Sequence, residues 1–251
     1  MKNGIRSFLF RGTVALALLT LVHPGEVRAD AAGDKALLQM EEAMNRAKTQ
    51  SLDYDVANQE PGQAEKKLGI SFRSKGEKYR IDWTAPADLK GTKTLCLSPT
   101  QMYVYLPAFG KVRHIASSAT DQGFMGMTFL LSDFASRYTG QYAATTTASS
   151  ATEVNLVATP KPGQDAPYAK IEFTIAKDRM QPTTIRYFNA SGTNTRTLTL
   201  SNYTCQGNIC TATEQKMVDN TKNAWTKLLR KTWKVNENIS DDYFSQRALG
   251  E

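Results

Sequence analysis

Two histidines and three cysteines are the first residues to weigh in this 251-residue chain, because such side chains most often do nucleophilic, acid–base or metal chemistry. His23 falls in an N-terminal leader, which leaves His114, beside Lys111 and Arg113 on a strand after the Pro107 turn. A Ser-His-Asp triad would depend wholly on His114, and no Gly-x-Ser-x-Gly elbow supplies a nucleophile. Zinc takes several His or Cys ligands at recognisable spacing, and the sequence offers no such set. A Gly-rich phosphate loop is also missing. The acidic pair Asp241-Asp242 reads as a solvated turn or cap. Cys205 and Cys210 flank Gln206-Gly207-Asn208-Ile209, a spacing that suits a disulfide across a hairpin with a Gly-Asn turn. Cys96 sits in the alternating run Thr92 to Leu97 and reads as a buried strand thiol. These residues predict a protein that is not an enzyme and uses no cofactor or metal. A lipid-modifying enzyme relying on His114 is the reading they supply least.

What stands out instead is apolar. Phe109, Phe124, Met125, Met127, Phe129, Leu130, Leu131 and Phe134 lie outside the regular strands. Unbranched thioethers and aromatic rings can repack around different shapes, so such a cluster suits a cavity or lid for loosely specified hydrophobic ligands. The same residues could simply plug one end of a sheet.

The elements that must position them follow from periodicity. Lys2, Arg6 and Arg11 precede or flank the apolar run Thr13 to Val22, and Val27-Arg28-Ala29 supplies a small-residue cleavage site, with Ala29-Asp30-Ala31 competing, so residues 1–29 read as a secretory signal peptide. Its removal takes four basic groups and one acid from the formal +7, leaving 27 basic against 23 acidic residues, a mild +4 on residues 30–251. No later stretch has the roughly 18 to 20 apolar residues that cross a bilayer, and no Cys follows the cleavage site to be acylated, so a freely diffusing exported chain is expected, in a periplasm or outside the cell. The basic residues are dispersed without an Arg-rich stripe, which argues against nucleic acid.

Asp34 to Lys48 places Leu37, Met40, Met44 and Ala47 at helical spacing behind Asp34 as cap. Beyond Asp53 the period becomes two, and eleven short strands between Leu68 and Val235 read as a single antiparallel meander. Gln122 to Tyr138 breaks the rhythm as an apolar loop running into a short helix capped by Ser132. Ala143 to Thr152, small and polar, reads as loop or edge.

In their order, the segments WTAPADLKGTKTL from Trp83, YVYLPAFGKVRHIA from Tyr103, QGFMGMTFLLSDF from Gln122, ATPKPGQDAPYAKIEF from Ala158 and ISDDYFSQRAL from Ile239 resemble the outer-membrane lipoprotein-sorting, or LolA-like, family, in its branch associated with RND-type exporters. The resemblance spans residues 30–251 as one domain. It implies a mainly β (α+β) fold, an incompletely closed antiparallel β-barrel of about eleven strands with a helical lid over an apolar cavity. It implies a periplasmic carrier that binds a lipid or acylated lipoprotein and transfers it towards the outer membrane or an exporter. Its partners would be an inner-membrane RND-type transporter or an outer-membrane acceptor, with transient membrane contact. The alternative is a lipid-sensing interaction module that regulates a membrane-anchored partner.

By that likeness Leu37, Met40 and Met44 with Phe124, Met125, Met127, Phe129 and Phe134 cover the mouth. Ile70, Phe72, Ile81, Trp83, Leu95, Tyr105, Ile171 and Phe173 line the sheet. Arg80 and Arg113 are the candidates to latch the lid or meet a head group. Related sequences more often carry Gly-Ser-Asp-Phe in the loop. Here Gly126-Met127-Thr128-Phe129 lacks that acid, which implies a greasier loop without the polar contact.

Overall fold

The computed structural model describes residues 30–116, 124–135 and 137–251. The expected signal peptide and residues 117–123, Gln122 and Gly123 among them, lie outside these. Thirteen strands form one antiparallel sheet: β1 (Thr49–Gln59), β2 (Lys66–Lys75), β3 (Lys78–Ala85), β4 (Lys93–Ser98), β5 (Gln101–Leu106), β6 (Lys111–Ile115), β7 (Tyr142–Ser149), β8 (Glu153–Pro160), β9 (Lys170–Ala176), β10 (Gln181–Phe188), β11 (Asn194–Gln206), β12 (Ile209–Asp219) and β13 (Ala224–Val235). Their spatial order is β6-β5-β4-β3-β2-β1-β13-β12-β11-β10-β9-β8-β7. The sheet is therefore not one meander but two, β1 to β6 and β7 to β13. They are joined where β1 pairs with β13, from Gln50 opposite Val235 to Gln59 opposite Trp225.

Two strands exceed the expected eleven. β1 alternates Leu52, Tyr54 and Val56 with polar residues. β7 is built of Ala and Thr because the face it turns inward is covered closely by a helix, which leaves little room for large side chains. β6 and β7 end the order unpaired with each other, so the curved sheet stays an open trough. Within it Tyr54, Ile70, Phe72, Ile81, Trp83, Leu156, Ile171, Phe173, Ile185 and Leu228 are buried on the concave face.

Helix α1 (Ala31–Met44) lies across β7, β8, β10 and β12. It starts three residues before the expected Asp34, since Asp30 is the N-cap and its carboxylate accepts from the Gly33 amide. Asp34 instead accepts from the Ala144 amide at 2.7 Å, tying the helix to β7. Leu37 and Met40 are fully buried and Met44 is half-buried against the core.

The outer face carries a second, smaller core. Phe244 and Leu249 cover Leu95, with Leu97, Tyr103, Tyr105 and Val112 around them. They come from a C-terminal single-turn helix (Asp241–Phe244) and α2 (Gln246–Gly250), which Ser240 and Ser245 cap. Cys205 and Cys210 are register partners in the β11–β12 hairpin and are joined as a disulfide, while Cys96 is buried and free. No helix among the described residues is long and apolar enough to cross a bilayer.

Gly33 is where α1 meets β7 backbone to backbone. A Cβ there would stand 2.4 Å from the Ala144 carbonyl oxygen and 2.7 Å from the Thr145 Cα. Relief requires lifting the helix, so Gly33→Ala is expected to destabilise by about 1–3 kcal/mol despite alanine's better helix propensity. Urea unfolding checks this; a variant as stable as the parent would contradict such close packing.

Candidate ligand cavity and its lid

The stretch from Phe124 to Ala135 does not bridge the mouth of the trough but lies inside it. It begins with a single turn, Phe124–Gly126, in which Met125 and Gly126 take left-handed angles, φ 52° and 79°. The Gly126 carbonyl accepts from Asn58 Nδ2 at 2.9 Å. Thr128 then spans two strands: its amide donates to Thr226 Oγ1 at 2.8 Å and its hydroxyl to the Met217 carbonyl at 3.0 Å. These bonds satisfy backbone polar groups that would otherwise be stranded in a greasy interior. Between and beyond them Met127, Phe129, Leu130 and Leu131 are buried. Phe134 stacks on Phe72 with centroids 6.0 Å apart and lies 5.8 Å from the Phe129 ring, and Tyr79 donates its hydroxyl to the Leu131 carbonyl at 2.7 Å.

One ion pair closes this plug. Asp133, in the turn Leu131–Phe134, accepts from the Leu130 amide at 2.7 Å and pairs through both oxygens with Arg196 of β11. The side chains are 6% and 9% exposed, so water compensates neither charge. Arg196 also donates to the Thr128 carbonyl at 2.8 Å and to the Tyr168 hydroxyl. Burial by itself pulls the guanidinium pKa down, but the adjoining Asp133 carboxylate outweighs it and the net shift is upward. Burial pushes the neighbouring Tyr138 and Tyr187 phenols up, and that of Tyr168 up to about 12.

A second tie joins α1 to the chain beyond the plug. Glu41, 7% exposed, accepts from the amides of Tyr138 at 2.6 Å and Thr139 at 2.8 Å, and from the Thr139 hydroxyl at 3.0 Å. Helix and plug thus form one lid held by two buried carboxylates.

The plug divides the trough. On one side lies a cavity of about 940 Å³ whose walls include Met44, Leu52, Phe72, Tyr79, Met102, Phe129, Phe134, Leu198, Leu200 and Leu228. On the other, towards the β12–β13 turn, lies one of about 710 Å³ lined by Met127, Leu130, Tyr168, Arg196, Asp219 and Lys222. Both fall in the size range of small-molecule sites.

Of the residues expected at the cavity, the structure brings together Met44, Phe72, Phe129 and Phe134 at the larger space and Met127 at the smaller. Leu37, Met40, Ile81 and Trp83 belong to the packed core behind them, and Met125 is half-buried against that core. The side chain of Phe124 lies outside the described part. Leu95 and Tyr105 require correction: both face outward beneath Phe244 and Leu249. In β4 it is Thr94 and Cys96, one residue either side, that turn inward, the parity error that alternation alone permits.

Arg80 is not a lid latch either. It chelates Asp82 at 2.7 and 3.0 Å, donates to the Ala248 carbonyl at 3.1 Å and stacks on Tyr243, so it clamps the C-terminal segment to the outer face. Arg113, on edge strand β6 in phase with Ile115, stacks 4.6 Å from the exposed Phe109 ring. His114 is exposed, with Nε2 3.2 Å from the Thr100 carbonyl oxygen. No cluster of His, Cys, Asp or Glu suited to a metal exists among the described residues.

Glu41, Asp133 and Arg196 are the functional residues that sequence reasoning missed. The acid expected to be absent from Gly126–Phe129 is present six residues beyond Met127, in Ser132-Asp133-Phe134. The detectable signal for Arg196 was its phase: it alternates in step with the buried Leu198 and Leu200.

An open antiparallel trough filled by a helix and an apolar plug is the LolA-like fold. A DUF1329 family protein from Desulfovibrio piger is similar with a TM-score of 0.78 and 21% identity, over 87% of this chain and 98% of that one. A putative outer membrane lipoprotein-sorting protein domain from Vibrio parahaemolyticus gives 0.78 and 20%, over 88% and 99%. A LolA superfamily protein from Nitrosomonas europaea gives 0.69 and 18%, over 86% and 98%. No curated protein matches the sequence. A family model described as an uncharacterized-protein-like family matches residues 75–251, and the chain belongs to that family.

Removing one partner of a buried pair costs about 3–5 kcal/mol, because the other charge stays buried. Asp133→Ala should therefore release the plug, seen as hydrogen exchange of the Thr128 amide accelerated on the order of 100-fold; unchanged protection would show that the pair does not hold the lid. A second expectation concerns alkali. Phenols that ionise near 10 in the unfolded chain but near 12 at Tyr54 and Tyr168 favour the fold fully below pH 10 and lose that contribution as pH rises to 12. Urea midpoints should be level up to about pH 9 and fall by about pH 11.

Proposed function

We propose that this chain is a non-catalytic carrier that takes up a lipid, or the acyl chains of a lipoprotein, by exchanging its plug for the ligand. The observation that carries this reading is the plug itself. One continuous stretch buries Met127, Phe129, Leu130 and Leu131 and half-buries Phe134 in a trough that would otherwise be open. At roughly 2 kcal/mol for each buried apolar side chain, the plug contributes about 10 kcal/mol of burial. An acyl chain of about 15 methylenes gains on the order of 12 kcal/mol from leaving water. The two are close enough that ligand and plug can replace one another reversibly, as a carrier requires and a storage site does not.

The likeness to a lipoprotein-sorting protein domain supports the same reading at the level of fold. In this proposal residues 1–29 direct export and are removed, and residues 30–251 act in the periplasm as one binding unit. An inner-membrane RND-type transporter or an outer-membrane acceptor is the partner, met with transient membrane contact.

Native mass spectrometry of exported protein purified without detergent, with organic extraction, tests it. At most one lipid per chain is expected, lost in the cavity-wall variant Leu200→Lys and bound at higher fractional occupancy in Asp133→Ala than in the parent. If parent and Asp133→Ala both keep a clean apo mass after incubation with membrane extract, the carrier reading fails.

A further inference from the structure

Resting on the carrier reading, the geometry points to the charge of the cargo: we propose that the ligand is an anionic amphiphile whose carboxylate or phosphate replaces Asp133 on Arg196 when the plug withdraws. Arg196 is 7% exposed and makes hydrogen bonds to Asp133, to the Thr128 carbonyl and to the Tyr168 hydroxyl. The first two belong to the plug. Withdrawal therefore removes the guanidinium's counter-charge and one of its two neutral acceptors together, leaving the cation with the Tyr168 hydroxyl and the Tyr187 ring 5.4 Å away.

The other charged groups nearby do not replace Asp133. Asp219 is the register partner of Arg196 across β11 and β12. Its carboxylate, however, is engaged by the Thr221 and Lys222 amides at 3.0 and 3.1 Å, with Lys222 Nζ 3.8 Å away. Glu60 and Lys222 line the same small cavity, one acid against one base. A buried guanidinium without its carboxylate is strongly disfavoured, and its planar fork fits a two-oxygen anion better than any neutral group.

The position completes the argument. Arg196 lines the smaller cavity and Leu198 and Leu200, next in phase on β11, line the larger, with the plug as partition. Once the plug leaves, a ligand can lay an apolar tail along Leu198, Leu200 and Phe72 while its head meets Arg196. An uncharged acyl group would fill the tail space and leave the cation unanswered.

The test compares palmitic acid, palmitoyl lysophosphatidic acid and the uncharged monopalmitoylglycerol, titrated into the purified chain by calorimetry. At least one of the two anions should bind about tenfold tighter or better than the neutral probe, and the binder reveals whether carboxylate or phosphate is preferred. Arg196→Lys should keep the preference, and Arg196→Gln should lose it while still binding the neutral probe. If monopalmitoylglycerol binds the parent protein as tightly as both anions, the charge assignment is overturned and the carrier stands. Should no probe bind the parent or Asp133→Ala, both fall.

Discussion

Ten residue pairs between the first strand and the last, with one register shift between Asp53 and Tyr54, hold this molecule together. The ladder from Gln50–Val235 to Gln59–Trp225 joins two meanders that would otherwise be separate sheets, each with one apolar face exposed. Neither is a stable arrangement alone, because a curved sheet of six or seven strands needs a cover for its concave side. The ladder makes one trough wide enough to be covered by α1 and the plug together. Since it pairs residues 166 to 185 positions apart, it is also an expensive contact to form, with loop closure to overcome before any cross-strand burial is gained.

The two faces of that sheet use buried arginine in opposite ways. On the outside Arg80 is held by Asp82, its neighbour two residues along the same strand, and its remaining contacts fasten the chain terminus. Such a pair is intact whatever the lid does. On the inside Arg196 draws its counter-charge from a segment sixty-three residues away that belongs to the lid. Both guanidiniums are shielded from water, yet only the second takes its counter-charge from the plug.

The fold was legible wherever one face of a strand is apolar and the other polar. Ile70 and Phe72, and Ile81 and Trp83, announced β2 and β3 and the side they bury. β7 was legible only as loop or edge, because past Tyr142 its inward residues are small where a helix backbone packs against it. Leu95 was assigned to the wrong face because β4 buries both faces, under the lid on one side and under Phe244 and Leu249 on the other, and alternation is informative only when one side is wet. The apolar run around Phe129 lies inside the trough, with Phe129 and Phe134 in the wall of the larger cavity. Of its polar anchors only Arg196 carries a local signal, its phase with Leu198 and Leu200; its pairing with Asp133, sixty-three residues away, leaves no mark in either segment.

The sheet also stops short of closure, with β6 and β7 at its two margins. A closed barrel has its radius fixed by strand number and stagger, so its bore cannot change without breaking ladder hydrogen bonds around the ring. An open one keeps every ladder intact while its margins splay or approach, and its girth is an elastic variable. Strand pairing alone therefore leaves the width of the trough unfixed. The cover follows one margin only: α1 is tied at Asp34 and Glu41 to β7 and to the residues just before it, so helix and β7 margin shift as one piece when the trough widens.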